Sequence, residues 1–252
     1  MGKLKAIVSI AVTILIFSLV VVAIVKKQSA ICEKIEIKIA ASQNQPLVSV
    51  QEIEKMIADS NVVVIGKTVK DLRSVTGEVA DIITHHPFIL QCKRVYFSRS
   101  SMIIEIIQSH PLVHVFSEND QYFIDDEGFI IPFHPNIHES ILVANGHIDY
   151  NFSRKIVADS VPLLHSLYTV AKEIKADPFC NAQFKQLYVN KNQAIELIPV
   201  FGNQLVLFGD HSDAKAKLLH LSKMYSDALP YHGINDYTLL DARFKNRIIA
   251  KK

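Results

Sequence analysis

The sequence predicts an α+β protein held by one apolar N-terminal helix. Three observations carry this reading. Residues Ala6 to Val25 run for twenty positions without a charge. The next part of the chain reads as strand, helix, helix, strand, strand. Past Pro111, short strands alternate with turn residues and two or more helices, which fits a mostly antiparallel sheet.

The charge-free run, AIVSIAVTILIFSLVVVAIV, spans about 30 Å as a helix, the thickness of a bilayer's hydrocarbon core. A helix satisfies all of its own backbone hydrogen bonds there. Lys3 and Lys5 precede the run, and Lys26 and Lys27 follow it. The rival reading is a cleaved secretory signal, whose apolar core is shorter and is followed by a small-x-small cleavage site. Here lysines follow directly, and Ile31 is bulky where a lipoprotein box before Cys32 needs a small residue. Ala6 and Val25 therefore bound an expected membrane anchor. The two lysines and the α-amine ahead of the run lean toward a cytoplasmic N-terminus.

The first strand is EKIEIKIA, Glu33 to Ala40, with isoleucines alternating with charges. Ser49 and Glu52 fit a capping box opening a helix with Val50, Ile53, Met56 and Ile57 on one face. Gly66 and Lys67 mark a break. A second helix runs from about Thr76 to His85, ended by Pro87. Strands Cys92 to Phe97 and Met102 to Ile107 follow, with a turn at Arg99-Ser100-Ser101 between them.

Beyond Pro111 the expected strands are Leu112 to Phe116, Tyr122 to Ile124, Phe129 to Phe133 and Ile141 to Val143. Asp125 to Gly128 forms a hairpin turn, and Asn145-Gly146 closes the fourth strand. Ser153 to Lys175 reads as a helix that Pro162 kinks or splits. Strands Phe184 to Val189, Ala194 to Pro199 and Gln204 to Phe208 come next, with a turn at Gly202-Asn203. Ser212 or Asp213 caps a helix through Tyr225. Tyr237 to Leu240 and Phe244 to Ala250 close the chain as strand.

A formal net charge of +2 argues against a dedicated nucleic-acid surface. Cys32, Cys92 and Cys180 are odd in number and widely spaced, which argues against a zinc site or a disulfide framework. A single Cys32–Cys92 bridge requires adjacent strands. The histidine pairs His85-His86, His110/His114 and His134/His138 lack the spacing or the acidic neighbour of a metal site. Asp125-Asp126-Glu127 reads as a solvated turn rather than acid–base machinery. No cofactor motif, G-x-S-x-G, Walker loop or H-E-x-x-H occurs. Neither an enzyme nor a small-molecule substrate is expected.

The layout resembles the FtsQ/DivIB family of bacterial cell-division proteins. The resemblance rests on Tyr122 to Gly128, on Ile195 to Gly202 with Leu207-Phe208-Gly209, on Lys217 to Tyr225, and on Asp241-Ala242-Arg243-Phe244, which come in the family's order. Gln108-Ser109-His110-Pro111 departs from the pattern by lacking Arg, and Ala242 and Phe244 stand for Leu and Tyr. The resemblance implies a cytoplasmic tail (1–5), a transmembrane helix (6–25), a linker (26–31), a POTRA-like βααββ module (32–109) and an FtsQ-type β domain (110–252).

It also implies a scaffold in the bacterial inner membrane at the division site, with its bulk in the periplasm. Its partners would be FtsB/DivIC-type and FtsL-type single-pass proteins, besides the lipid bilayer. The last strand of such a domain receives a partner strand. Tyr237, Asp241, Arg243, Phe244, Asn246, Arg247 and Ile248 are the expected partner-binding residues. Aromatic and Arg side chains are usual interface anchors, and a terminal strand can lie at a sheet edge. The rivals are a membrane-tethered hydrolase of envelope polymer and a POTRA-type chaperone for exported chains.

Overall fold

The computed structural model describes residues 2–39, 46–135, 137, 141–152, 156–244 and 246–252. Ala40, His138, Ser153 and Lys245, which figure in the reading above, lie outside these. The chain forms two compact units, Met1–Gln108 and Ser109–Lys252.

The first unit opens with helix α1 (Gly2–Gln28). Its window Ser9–Lys26 is long and apolar enough to cross a membrane and is 0% buried, so α1 is not the core helix of a soluble unit. Strand β1 (Lys34–Ile39), helices α2 (Val50–Asp59), α3 (Val69–Leu72) and α4 (Thr76–Thr84), and strands β2 (Ile89–Ser98) and β3 (Ser101–Gln108) follow. The expected capping box forms on α2. The Ser49 N–H donates to the Glu52 carboxylate at 2.8 Å, and the Glu52 N–H donates back to Ser49 Oγ at 3.2 Å. Buried Ile53 and Ile57 from α2 and Val79 and Ile83 from α4 supply the helical side of this unit's core.

The sheet order is β1-β3-β2, with β1 parallel and β2 antiparallel to the central β3. The central β3 has no exposed residue, so both of its faces are covered, and it reads as the near-continuous apolar run SMIIEIIQ. This order decides the cysteine question. Cys32 leads into β1 and Cys92 lies on β2, so β3 stands between them. Two strand spacings are about 9.5 Å, beyond the roughly 7 Å that a disulfide tolerates. All three cysteines are free.

The second unit carries β4 (Pro111–Phe116), β5 (Gln121–Asp125), β6 (Ile130–Pro132), β7 (Leu142–Gly146), α5 (Pro162–Ala176), α6 (Pro178–Gln183), β8 (Phe184–Val189), β9 (Ile195–Pro199), β10 (Leu205–Gly209), α7 (Ala214–Lys223), α8 (Leu229–His232), β11 (Leu239–Asp241) and β12 (Ile249–Lys251). One mixed nine-stranded sheet has the order β12-β11-β10-β9-β8-β7-β4-β5-β6. The β4/β7, β7/β8 and β10/β11 pairs are parallel. The remaining pairs are antiparallel.

Leu164, Leu167, Val170, Ala171 and Ile174 from α5, with Leu218 and Leu221 from α7, are buried in one continuous core with the sheet. Lys217 ties α7 to the end of β10, its ammonium donating to the Phe208 and Asp210 carbonyls at 3.1 Å.

Two local expectations change. Pro162 does not kink a long helix; it starts α5, where its missing N–H is no loss and its fixed φ suits the first turn. Ile156 and Val157 are extended ahead of it and pair with Ile130 and Phe129. At α7, Asp213 occupies the cap position in a left-handed conformation (φ 53°) and neither it nor Ser212 caps the helix with its side chain.

Candidate protein-interaction edge

The terminal segment folds as two strands shorter than the expected Tyr237–Leu240 and Phe244–Ala250. β11 pairs parallel with β10, and β12 pairs antiparallel with β11 through Leu239↔Lys251, Leu240↔Ala250 and Asp241↔Ile249. β12 is the end strand of the nine-stranded sheet. Tyr237 lies ahead of β11, and Phe244 lies in the connection to β12, not in a strand.

The path to this edge is fixed from below. The Leu205 N–H donates to the Thr238 carbonyl and the Ala242 N–H to the Leu207 carbonyl, both at 2.9 Å. Gln204, 1% exposed, donates through Nε2 to the Ile234 carbonyl on the approach to β11 and accepts from the Tyr225 hydroxyl at 3.2 Å.

Asp241 and Arg243 shape the turn out of β11. Arg243 donates through Nε to Asp241 Oδ1 at 2.8 Å and through a terminal nitrogen to Oδ2 at 2.6 Å. Its own N–H adds a third bond to Oδ1 at 3.2 Å. This fork holds the Asp241 carboxyl below the usual carboxylate range, against the opposing effect of burial. Asn246 completes the reversal at φ 65°, a conformation Asn tolerates better than most residues. The Asp241–Arg243 clamp and this left-handed residue explain why Phe244 is turn rather than strand.

Phe244 and Ile249 are exposed, and the Arg247 guanidinium sits 5.1 Å from the Phe244 ring centre. Tyr237, Ile248 and Ala250 are partly buried against the core. The seven residues expected from sequence thus divide. Arg243, Phe244, Asn246 and Arg247 are presented to solvent, whereas Tyr237, Asp241 and Ile248 hold the edge in place. The expected set does not include Ile249 and Ala250, which form the end strand β12 itself. Their alternation of exposed and partly buried side chains is the signal that could have found them.

Replacing Asp241 with Asn should destabilise the second unit by about 1–2 kcal/mol at neutral pH. A carboxyl with a depressed folded pKa stabilises above its unfolded value of about 3.9 and loses that contribution as pH falls through the folded one. The gap between wild type and variant should therefore narrow in urea melts as the pH is lowered below the unfolded value. A gap that stays constant would rule out the clamp as its source.

The family model described as FtsQ/DivIB, C-terminal related, matches residues 110–251, and a POTRA-like domain model matches residues 30–113. The chain belongs to the FtsQ/DivIB family. Comparison with curated proteins finds no match. FtsQ/DivIB membership makes this a cell-division protein, of a family that is generally non-catalytic.

Other polar clusters in this FtsQ/DivIB chain have structural explanations. Contrary to expectation, the Asp125-Asp126-Glu127 turn is not solvated throughout: Asp125 is fully buried, accepts from the Glu127 N–H at 3.1 Å and the Phe129 N–H at 2.7 Å to close the β5–β6 turn, and burial raises its carboxyl pKa. His114 lies among Phe116, Phe123 and Phe133, with burial holding its pKa down. His110 precedes β4, so the two histidines do not share a strand. His85 Nδ1 lies 2.7 Å from the Asp81 carbonyl at the end of α4.

Ser166 and His211 Nδ1 are 2.8 Å apart, while Asp159 pairs with His165 at 2.6 Å. A serine relay needs one imidazole between hydroxyl and carboxylate; here two separate pairs meet only edge to face, at 4.7 Å. Among the described residues no cluster of three or more His, Cys, Asp or Glu could hold a metal.

Proposed function

We propose that this protein is a non-catalytic scaffold of the division machinery, anchored in the bacterial inner membrane by α1 with its N-terminus in the cytoplasm. Its POTRA-like unit helps to recruit one partner. Its second unit lends β12 to a strand from an FtsB/DivIC-type protein that arrives with an FtsL-type protein. The observation that carries this reading is the end position of β12: one side pairs with β11, and on the other no strand neighbours it among the described residues. An unpaired strand margin accepts a guest through backbone hydrogen bonds, and flanking side chains set which guest fits. The exposed Phe244–Arg247 pair beside it supplies an aromatic and a basic anchor.

The expected partner-binding residues are therefore extended by Ile249. Phe244→Asp should lower capture of the FtsB/DivIC-type partner by about tenfold, since truncating an anchor of this type typically costs more than 1 kcal/mol. Because Phe244 is 40% exposed, the fold should survive, as circular dichroism of the variant would verify. Unchanged capture in a pulldown would count against the edge as the docking site.

A further inference from the structure

The segment leaving α1 is not a free tether. Only Ser29 separates α1 from Ala30, whose carbonyl accepts from the Val69 N–H at 2.9 Å. The Cys32 N–H donates to the Lys67 carbonyl at 2.9 Å, and the Gly66 N–H donates to the Cys32 carbonyl at 2.8 Å. Ile31 bridges Thr68 in antiparallel fashion. The loop between α2 and α3 is thus stitched by its backbone to the residues that emerge from the apolar helix. The region expected to be a linker is part of the unit.

That loop presents apolar side chains to solvent. Val63 is 62% exposed and Ile65 55%, while Val64 between them is only 4% exposed and anchors the loop in the core. Ile31, on the paired segment, is 52% exposed. Lys26, Lys67 and Lys70 are exposed on the same two segments, as are the acidic Glu33 and Asp71. Asp71 is bonded to the Thr68 hydroxyl at 2.7 Å. Ile31 follows α1 within about 10 Å of extended chain. The headgroup region of one leaflet is roughly 5–7 Å deep, and its surface field reaches about 8 Å farther.

The geometry points to a second membrane contact: Ile31, Val63 and Ile65 form a foot that rests at the headgroup–acyl boundary, with Lys26 and Lys67 among the lipid phosphates. The occupant is the bilayer surface because the foot is continuous, through backbone hydrogen bonds, with the helix that enters that bilayer. Tethering makes the second contact effectively intramolecular, so a few apolar side chains suffice where a free peptide would need many. The foot fixes the orientation of the POTRA-like unit at the membrane instead of leaving it to swing. This inference rests on α1 being a membrane span.

The chain has no tryptophan, so single substitutions report depth cleanly. The full chain is placed in nanodiscs of phosphatidylethanolamine with a minority of phosphatidylglycerol, without bromine, with bromine on the shallow acyl carbons to report on Val63 and Lys93, or with bromine on the deep acyl carbons to report on Leu15. Val63→Trp emission should fall at least about twofold in the brominated discs, as expected for an interfacial side chain. Leu15→Trp should be quenched too, and Lys93→Trp on the exposed face of β2 should not. Adding Ile65→Ser to Val63→Trp should weaken the quenching.

If Leu15→Trp is quenched while Val63→Trp behaves like Lys93→Trp, the foot is wrong and the span stands. Equal quenching at Lys93 would overturn a localised foot. An unquenched Leu15→Trp would overturn the span and the foot together. Shielding of Val63→Trp from iodide only after a partner protein is added would reassign the patch to that partner.

Discussion

Replacing Phe184 with alanine should destabilise the second unit by about 3–5 kcal/mol, the range for truncating a fully buried phenylalanine. Phe184 opens β8, pairs with Pro199 of β9 and is 0% exposed. Its ring meets Tyr225 edge to face at 5.9 Å, and the Tyr225 hydroxyl donates to Gln204, which holds Ile234 on the approach to β11. A cavity at Phe184 therefore weakens the sheet and also loosens the support of its β12 end. Whole-domain stabilities are only about 5–15 kcal/mol, so the loss is a large fraction of the total. Urea unfolding of the full chain in detergent, with amide exchange on β8 and β9 locating the transition, measures it. A change below about 1 kcal/mol would mean that the surroundings collapse to fill the space, contrary to a close-packed core.

If β12 receives the proposed FtsB/DivIC-type strand, Ile249→Pro should reduce that binding by about 30–100-fold, corresponding to roughly 2–3 kcal/mol. Proline removes a backbone donor and fixes φ near −65°, which a regular ladder does not accept. Sheets tolerate proline at an edge, so the remaining strands should keep their exchange protection. Ile249→Val, which leaves the backbone free to extend, should bind like wild type. Equal affinity for the proline and valine variants in biolayer interferometry would show that the guest does not add to β12.

Local patterns in the sequence located most elements, because they depend on near neighbours. The Ser49–Glu52 box opened α2 as expected, and β8 runs from Phe184 to Val189 as its apolar pattern required. Helix α3 went unread although it carries the same type of signal. The Asp71 N–H donates to Thr68 Oγ1, so Thr-x-x-Asp marks its start, but a four-residue helix has no apolar periodicity to draw attention. Long-range pairing was not legible: nothing near Leu239 in the chain indicates that it lies beside Leu205. At the candidate edge, Asp241, Arg243 and Phe244 were legible as a motif through the family resemblance. The division of labour among them was not, since it depends on the Arg243 fork that turns the chain and leaves Phe244 outside the ladder.

The brevity of β12 has a consequence of its own. A strand held by three residue pairs is easily frayed, and its amides should be among the first in the sheet to exchange with solvent. A guest strand laid along it would turn this fringe into sheet interior, and binding to the folded form raises the stability of whatever it binds. Host and guest margins would then order one another, so a copy without its partner should expose a protease-sensitive tail that the assembled complex conceals.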